Sequence, residues 1–213
     1  MKFKLISVYL KGVVLFWLVG LFLIFTTEKL LLHKKINGLH TVFLDVIAPI
    51  ATNVGDGLFA LLIGVVFLFI EIRAAVLILL SFLVSSVFTQ FLKQVVFSNS
   101  FRPIHYFEND PGFHFIEGVN YHHQFSFPSG HSTTCFALFI TLALFFHSKK
   151  SLQVIFVILS ILFAFTRVYL SQHFFEDILA GSVVGTVSGL LIWNLFFDKL
   201  SKFNKSIITL NKN

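Results

Sequence analysis

The sequence predicts an all-α, polytopic membrane protein in which six transmembrane helices form one bundle. Hydrophobic residues make up 56% of its 213 residues and charged residues only 12%, whereas soluble domains carry about 25% charged residues. Six apolar runs also recur along the chain, and a helix needs about 20 such residues, with roughly 17 adequate, to span a bilayer. A chain this apolar is expected to use lipid as its solvent.

The six apolar runs cover residues 10–27, 57–70, 74–97, 132–146, 152–170 and 178–197. The second run is short, and residues 51–56 are candidates to extend it. The links after the second, fourth and fifth runs are brief, which makes antiparallel neighbours of the helices they join. The runs predict one domain over residues 1–213, with a core at 10–197 and a tail at 198–213.

Two connections are long. The first, residues 28–56, has apolar residues in steps of three and four, which predicts a helix lying in the membrane interface. Those residues are Leu39, Val42, Phe43, Val46 and Ile50. The second, residues 98–128 (the 98–128 loop), contains three of the four prolines and many polar groups, and it is expected to be an ordered loop.

The positions of lysine and arginine predict the orientation, because cytoplasmic loops carry an excess of them. With the N-terminus inside, ten of these residues lie on the inner side: Lys2, Lys4, Lys11, Arg73, Lys149, Lys150, Lys199, Lys202, Lys205 and Lys212. Six lie on the outer side: Lys29, Lys34, Lys35, Lys93, Arg102 and Arg167. We therefore expect a multi-pass protein of the inner (plasma) membrane with both termini cytoplasmic. The 98–128 loop then faces the periplasm or the exterior.

The net charge of +6 raises the question of nucleic-acid binding. The basic residues lie mainly at the ends of apolar runs, so they are interpreted as topology signals and no nucleic-acid partner is expected.

Ionisable residues near membrane spans are costly and are candidates for function. The predicted outer helix ends and their links carry Lys93, Arg102, His131, Arg167, His173 and Asp177. Each has an ordinary explanation by itself: Lys93 and Arg102 as helix-end anchors, and Arg167 as an arginine that snorkels to the interface. Their convergence at one depth and on one side predicts a single cationic site that contains imidazoles.

His173 and Asp177 are four residues apart at the start of a predicted helix, so they share a face. A carboxylate there can accept a hydrogen bond from one imidazole nitrogen and leave the other nitrogen free to attack. The alternative is that Asp177 caps the helix beside a surface histidine.

Residues Pro128-Ser129-Gly130-His131 predict a turn that opens into a helix N-terminus, where exposed N–H groups and the helix dipole favour an anion. Ser129 can donate its hydroxyl, Gly130 allows the backbone to approach closely, and His131 is placed to protonate a leaving oxygen. The alternative is an ordinary helix cap by Ser129. The three cations expected around this N-terminus, Lys93, Arg102 and Arg167, suit a phosphoryl group.

These residues resemble the motifs of the type-2 phosphatidic acid phosphatases, a superfamily that also contains vanadium-dependent haloperoxidases. The second family motif is present intact as Pro128-Ser129-Gly130-His131. The third is usually Ser-Arg, five residues, His, three residues and Asp. Here it is Thr166-Arg167, His173 and Asp177, with the spacing intact.

The first family motif is usually Lys, six residues and Arg-Pro, but here eight residues separate Lys93 from Arg102-Pro103. The two extra residues put the placement of Lys93 in question. The six-helix layout also looks like this family, so the resemblance covers roughly residues 10–197.

The resemblance implies a helical bundle that requires no metal and no cofactor. His173 is then the nucleophile that forms a phosphohistidine, Asp177 orients it, and His131 acts first as general acid and later as base for water. The resemblance assigns the phosphate oxygens to Lys93, Arg102, Ser129, Gly130 and Arg167.

The function expected from this resemblance is dephosphorylation of a lipid phosphate or diphosphate at the outer leaflet. Undecaprenyl diphosphate is the first expected substrate, with phosphatidylglycerol phosphate, phosphatidic acid and lipid A phosphates as alternatives. The expected partners are this lipid and the bilayer, without an obligate protein partner. A non-enzymatic anion-binding or transport protein is the alternative of another class. A vanadate-dependent oxidase is disfavoured, since those enzymes are larger and soluble.

The 98–128 loop also contains His105, Glu108, Asp110, His114, Glu117, His122 and His123. Their spacing is not diagnostic of a metal site, so a polar loop facing lipid headgroups is expected instead. Asp45 and Asp56 are expected to be caps or interface residues, with headgroup contact as the alternative. Gly181, Gly185 and Gly189 predict close helix packing within the bundle, with dimerisation as the alternative.

Overall fold

The computed structural model describes residues 6–210, and within this range the fold is built from helices. No strand occurs among these residues beyond one isolated bridge between Phe101 and Gln124. The all-α prediction is confirmed. Lys2, Lys4 and Lys212, which enter the charge count, lie outside the described residues.

Six apolar helices form the bundle. They are α1 (Ser7–Thr26), α4 (Gly57–Leu68), α5 (Ile72–Phe91), α7 (Gly130–Phe145), α8 (Lys150–Tyr169) and α9 (Phe175–Phe196). The shorter helices are α2 (Lys29–Asn37), α3 (Val42–Ala51), α6 (Pro103–Phe107) and α10 (Ile207–Leu210). A 3₁₀ turn (Thr52–Gly55) follows α3, and a π-helical turn (Leu92–Val96) continues α5.

Four of the six helices are long and apolar enough to cross a membrane: α1, α5 with its π-helical turn, α8 and α9. The six-span prediction is not confirmed for α4 and α7, which have 12 and 16 residues. At 1.5 Å per residue they reach about 18 and 24 Å, short of a hydrocarbon core of about 30 Å. Both helices end before the predicted apolar runs do, because Phe69 and Ile70 lie in a turn after α4 and Phe146 lies beyond the end of α7.

The first long connection forms a further apolar element. α2 and the segment Val42–Gly55 are apolar enough together to form a span, but the chain bends by 112° between them. They therefore form either a broken fifth span or a re-entrant element. The predicted helix around residues 42–50 is present as α3, and Val42, Phe43, Val46 and Ile50 lie exposed on it.

α7 lies at the centre of the bundle, against α5, α8 and α9, and residues 132–144 of α7 are all buried. The peripheral helices expose large apolar side chains instead, among them Phe22 and Phe25 of α1 and Leu58 of α4. Soluble monomers rarely expose apolar patches of this extent. The exposed apolar surface thus fits contact with lipid and supports the membrane assignment.

Three glycines allow α9 to pack closely on α7. A Cβ atom at Gly181 would collide with the carbonyl oxygen of Ser129, and one at Gly185 with the carbonyl oxygen of Thr133. Gly189 likewise faces the side chain of Ile140. The small-residue spacing is explained by packing within the bundle, as predicted.

Gly185→Ala should therefore destabilise the bundle by about 1–3 kcal/mol, because the added methyl group must push α9 away from the backbone of α7. The measurement is thermal unfolding of the purified protein in detergent. Gly38→Ala is the matched control, since an added Cβ there meets only ordinary contacts at 3.6 Å. Equal stability of the two variants would contradict the close packing.

Candidate active site

The residues predicted to form the site come together at one end of the bundle, which we call the site end. Lys93 lies in the π-helical turn after α5, Arg102 precedes α6, and Arg167 lies in the last turn of α8. The remaining members, at the starts of α7 and α9, are Ser129, Gly130, His131, His173 and Asp177. The charges of Lys93, Arg102, Arg167 and His131 all act on His173, so both imidazoles share one site.

The N-terminal ends of α7 and α9 are bonded directly to each other. The backbone N–H of Ser129 donates to the carbonyl oxygen of Asp177 at 3.0 Å. The hydroxyl of Ser132 donates to the carbonyl oxygen of Ile178 at 2.6 Å. Since Gly181 has no side chain, the two ends approach closely. The positive ends of two helix dipoles therefore act on the same space.

The carboxylate of Asp177 holds His173 in place. Its Oδ2 atom lies 3.3 Å from Nδ1 of His173, and it accepts hydrogen bonds from the Ser126 hydroxyl at 2.5 Å and the Phe174 N–H at 2.8 Å. His173 and Asp177 are both buried. Asp177 thus caps the start of α9 and orients the imidazole at once, and the ring presents Nε2 as its second nitrogen.

Burial and the positive charges of Lys93, Arg102 and Arg167 lower the pKa of His173 well below its usual value. Both effects disfavour the imidazolium form. The ring is therefore neutral at neutral pH, with the Nδ1 proton toward Asp177 and a lone pair on Nε2. A neutral imidazole is the form that can act as a nucleophile.

Ser129 is buried and is the N-cap of α7, where its hydroxyl accepts the N–H of Ser132 at 3.4 Å. Next to it, Gly130 borders open space. Gly130 and His131 line a cavity with residues of the 3₁₀ turn, α4 and α5, including Asp56 and Gln90. The start of α7 is thus accessible to a ligand beside His131.

Carbonyl oxygens of the 98–128 loop fix two of the cations. Arg102 donates from Nε to the carbonyl of Gln124 at 2.9 Å, and from Nη1 to the carbonyl and the side-chain oxygen of Gln172, both at 3.2 Å. Lys93 donates from Nζ to the carbonyl of Phe125 at 3.0 Å. Both cationic side chains are buried.

The two extra residues between Lys93 and Arg102 are accommodated by local geometry. In the π-helical turn the N–H of Phe97 donates to the carbonyl of Leu92 at 2.8 Å, a wider turn than in an α-helix. A tight turn follows, in which the N–H of Ser100 donates to the carbonyl of Phe97. Lys93 remains close enough to act on His173.

Arg167 has a free donor. Its Nη1 donates to the hydroxyl of Thr52 at 3.1 Å, whereas its Nε–H is buried without a hydrogen-bond partner among the described residues. Buried polar groups normally have partners, and an orphan group calls for an explanation. An oxyanion in the site would supply the missing acceptor.

The turn between α8 and α9 is supported from α2. Ser171 has a positive φ of 51°, a conformation that costs a residue other than glycine roughly 1–3 kcal/mol. Its hydroxyl lies 3.2 Å from Nε2 of His33 and 3.5 Å from Nδ2 of Asn37. Beyond it, the N–H groups of Gln172 and His173 both donate to the carbonyl of Arg167. α2 therefore helps to fix the position of His173.

Sequence reasoning missed several partners of the site: Thr52, Ser126, Ser171, Gln172, His33 and Asn37. Gln172 could have been suspected, because it lies within the spacer between Arg167 and His173. The others carry no local signal. Asp56 caps α4 by accepting the N–H of Leu58 at 2.9 Å, as expected, and its charge also acts on His131 and Arg167.

The PAP2 superfamily profile matches residues 74–201, which is more than half of the chain. The chain belongs to the PAP2 superfamily. This confirms the resemblance that the motifs indicated, and all the residues predicted to form the site, from Lys93 to Asp177, lie within the matched region.

Two curated proteins match part of this PAP2 chain. A 91-residue segment is 33% identical to the Drosophila melanogaster protein named "Putative phosphatidate phosphatase". The aligned segment covers 38% of this chain and 24% of that protein. A 90-residue segment is 31% identical to phosphatidylglycerophosphatase B of Bacillus subtilis. This alignment covers 38% of this chain and 44% of that protein. The chain thus spans less than half the length of these relatives.

Two solved structures share the PAP2 fold. The structure of Aquifex aeolicus LpxE has a TM-score of 0.67 at 22% identity, with 76% of this chain and 93% of that chain covered. The transmembrane PAP2-type phosphatidylglycerolphosphate phosphatase of Bacillus subtilis has a TM-score of 0.57 at 21% identity, with 95% and 100% covered. At these identities the likeness concerns the fold.

Orthovanadate, a tetrahedral oxyanion, should bind at the site end and raise the melting temperature of the purified protein. Arg102→Gln should weaken vanadate binding about ten- to a hundredfold, because a hydrogen bond to a charged group contributes about 1.5–3 kcal/mol. Vanadate titrations followed by thermal unfolding measure this. Arg73→Gln is the control, since Arg73 pairs with Glu71 at the opposite end of α5. If both variants responded to vanadate alike, Arg102 would have no part in anion binding.

Proposed function

We propose that this protein is a lipid phosphatase that hydrolyses a phosphomonoester or diphosphate of a membrane lipid at the outer leaflet. The observation that carries the proposal is the buried imidazole of His173, oriented by Asp177 and lying near three cations and two helix N-termini. Membership of the PAP2 superfamily and the two phosphatase-named relatives support the same reaction class.

In the first step, Nε2 of His173 attacks phosphorus and the bond from phosphorus to the leaving oxygen breaks. Asp177 accepts the Nδ1 hydrogen bond and stabilises the positive charge that develops on the ring. His131 donates a proton to the leaving oxygen. The products of this step are a phosphohistidine and a lipid alcohol, or a lipid monophosphate when the substrate is a diphosphate.

In the second step, water attacks the phosphohistidine and His131, now deprotonated, accepts a proton from that water. The N–P bond breaks, its electron pair returns to Nε2, and inorganic phosphate leaves. Lys93, Arg102 and Arg167, with the Ser129 hydroxyl and the N–H groups at Gly130, hold the non-bridging oxygens in both steps. Fixed positive groups of this kind stabilise the charge of a phosphoryl transition state, so the proposed chemistry needs no metal ion.

A lipid substrate fits the location of the site. The site end terminates an apolar bundle. A cavity lined almost wholly by apolar groups of α3 and α8 includes Thr166, which precedes Arg167 in the chain. Leu44, Ile47, Leu162 and Phe165 line it, and such a surface suits a hydrocarbon chain. Undecaprenyl diphosphate remains our first candidate, ahead of phosphatidylglycerol phosphate, phosphatidic acid and lipid A phosphates.

The proposed orientation places the site end outside the cell membrane. Arg73, Lys149 and Lys150 lie at the starts of α5 and α8, which is the end of the bundle opposite the site. Basic residues in short loops favour the cytoplasmic side. Both termini are then cytoplasmic.

His173→Ala should abolish phosphate release, since no other group replaces the attacking nitrogen. The assay is inorganic phosphate production by purified protein in mixed micelles with a lipid phosphate. His147→Ala is the matched control, because His147 lies after α7 at the opposite end of the bundle. Wild-type activity in His173→Ala, with the melting temperature preserved, would end the proposed mechanism.

His131→Ala should lower the rate about 10²–10⁴-fold for a lipid alkyl phosphate, because general acid catalysis contributes that much. The rate of the first step should fall much less with p-nitrophenyl phosphate, whose leaving phenolate needs no proton. Burst kinetics with both substrates measure this step. Equal losses on the two substrates would argue against His131 as the acid.

A panel of lipid phosphates in micelles, compared by kcat/KM, should place undecaprenyl diphosphate first.

Excess chelator should leave the rate unchanged at a temperature well below the melting temperature. A large loss of rate with chelator, with the melting temperature unchanged, would show that a metal takes part in the reaction.

A further inference from the structure

Three potential metal ligands from separate segments meet outside the site. They are His40 in the link between α2 and α3, Asp45 in the first turn of α3, and His114 in the 98–128 loop. One ligand atom of each lies within 4.8 Å of the other two. Nε2 of His114 is 2.9 Å from Oδ2 of Asp45, and the rings of His40 and His114 stack with centroids 3.8 Å apart.

Two of the three ligands are held by further hydrogen bonds. Asn37 accepts the N–H of His114 at 2.9 Å and donates to its carbonyl at 2.7 Å, which fixes the backbone of that residue. The phenol of Tyr169 donates to Oδ1 of Asp45 at 2.6 Å, which leaves Oδ2 toward His114. Protein metal sites commonly have such outer hydrogen bonds, because they orient the ligands and tune their basicity.

We propose that His40, Asp45 and His114 form a zinc site with water as the fourth ligand. Two imidazoles and one carboxylate are a donor set that suits Zn²⁺ rather than Mg²⁺ or Ca²⁺, which prefer oxygen ligands. In a tetrahedral site with bonds of about 2.0–2.1 Å, ligand atoms are about 3.3 Å apart. The His114–Asp45 pair therefore needs to open by only a few tenths of an ångström when zinc replaces the shared proton.

The third ligand, His40, completes the site by turning its ring. Imidazole lone pairs lie in the ring plane, so two stacked rings with an interplanar angle of 12° do not yet aim at one point. His40 is exposed and lies in the link outside the helices, which leaves room for this rotation. Metal binding should therefore order His40 while the other two ligands stay in place.

Zinc in this site would link three elements of the fold. It would join the bend between α2 and α3 to the 98–128 loop, whose carbonyls position Lys93 and Arg102. Through Tyr169, which also contacts the backbone of Thr41, it would tie both elements to the end of α8. The site takes no part in phosphoryl transfer, so its occupancy should change stability and loop order without supplying a reacting group.

The test uses full-length protein in detergent, freed of its purification tag and treated with chelator before dialysis. Zn²⁺ is titrated by calorimetry and by thermal unfolding. We expect one zinc ion per chain and, at a hundredfold excess over Kd, a rise in melting temperature of about 5–10 °C. His40→Ala and Asp45→Asn should each weaken zinc binding at least tenfold, a typical cost of losing a ligand or its support.

His122→Ala is the matched control, since His122 is an exposed histidine of the same loop outside the cluster; it should bind zinc like the wild type. Phosphate release by zinc-free His40→Ala should equal that of the zinc-free wild type, which separates this site from the proposed active site. The proposal is overturned if zinc fails to bind at one ion per chain, or binds with unchanged affinity in both His40→Ala and Asp45→Asn.

Discussion

The contact between the N-terminal ends of α7 and α9 is the constraint on which the site depends. It consists of the Ser129 N–H bonded to the Asp177 carbonyl, the Ser132 hydroxyl bonded to the Ile178 carbonyl, and the close approach allowed by Gly181. It brings the residues of two separate motifs together at a distance set by backbone atoms rather than by flexible side chains. Both helix dipoles then favour negative charge in the same place.

That arrangement leaves an electrostatic imbalance in a poorly hydrated region. Lys93, Arg102 and Arg167 converge near one buried carboxylate, Asp177, and one partly buried carboxylate, Asp56. Loop carbonyls and Gln172 offset part of the desolvation cost of the cations, as buried charges require. The orphan Nε–H of Arg167 shows that the compensation is incomplete. A bound phosphoryl group would complete it, which is why the same geometry serves both binding and reaction in the proposed mechanism.

Elements next to the site end support the site through buried contacts. His33 is buried among Phe107, Phe113 and Phe174, and with Asn37 it holds the strained Ser171 that precedes His173. Asn37 also fixes His114, which connects this network to Asp45 and Tyr169. α2, the 98–128 loop and the end of α8 are therefore one connected structure. A change in any of them can reach the active site through the turn at Ser171.

The sequence by itself determined the helical class, the positions of the six apolar helices and the residues that converge at the site. Apolar runs and motif spacing are local features. His173 and Asp177 meet because they are only four residues apart: Asp177, in the first turn of α9, reaches back to His173 just before the helix. Only the tertiary structure decided the lengths of α4 and α7 and the way the π-helical turn absorbs the extra residues after Lys93. It also decided the partners of the site: Ser126 is 51 residues from Asp177, and Thr52 is 115 residues from Arg167. Contacts over such separations depend on how the helices and loops pack, and neither periodicity nor spacing along a single chain records them.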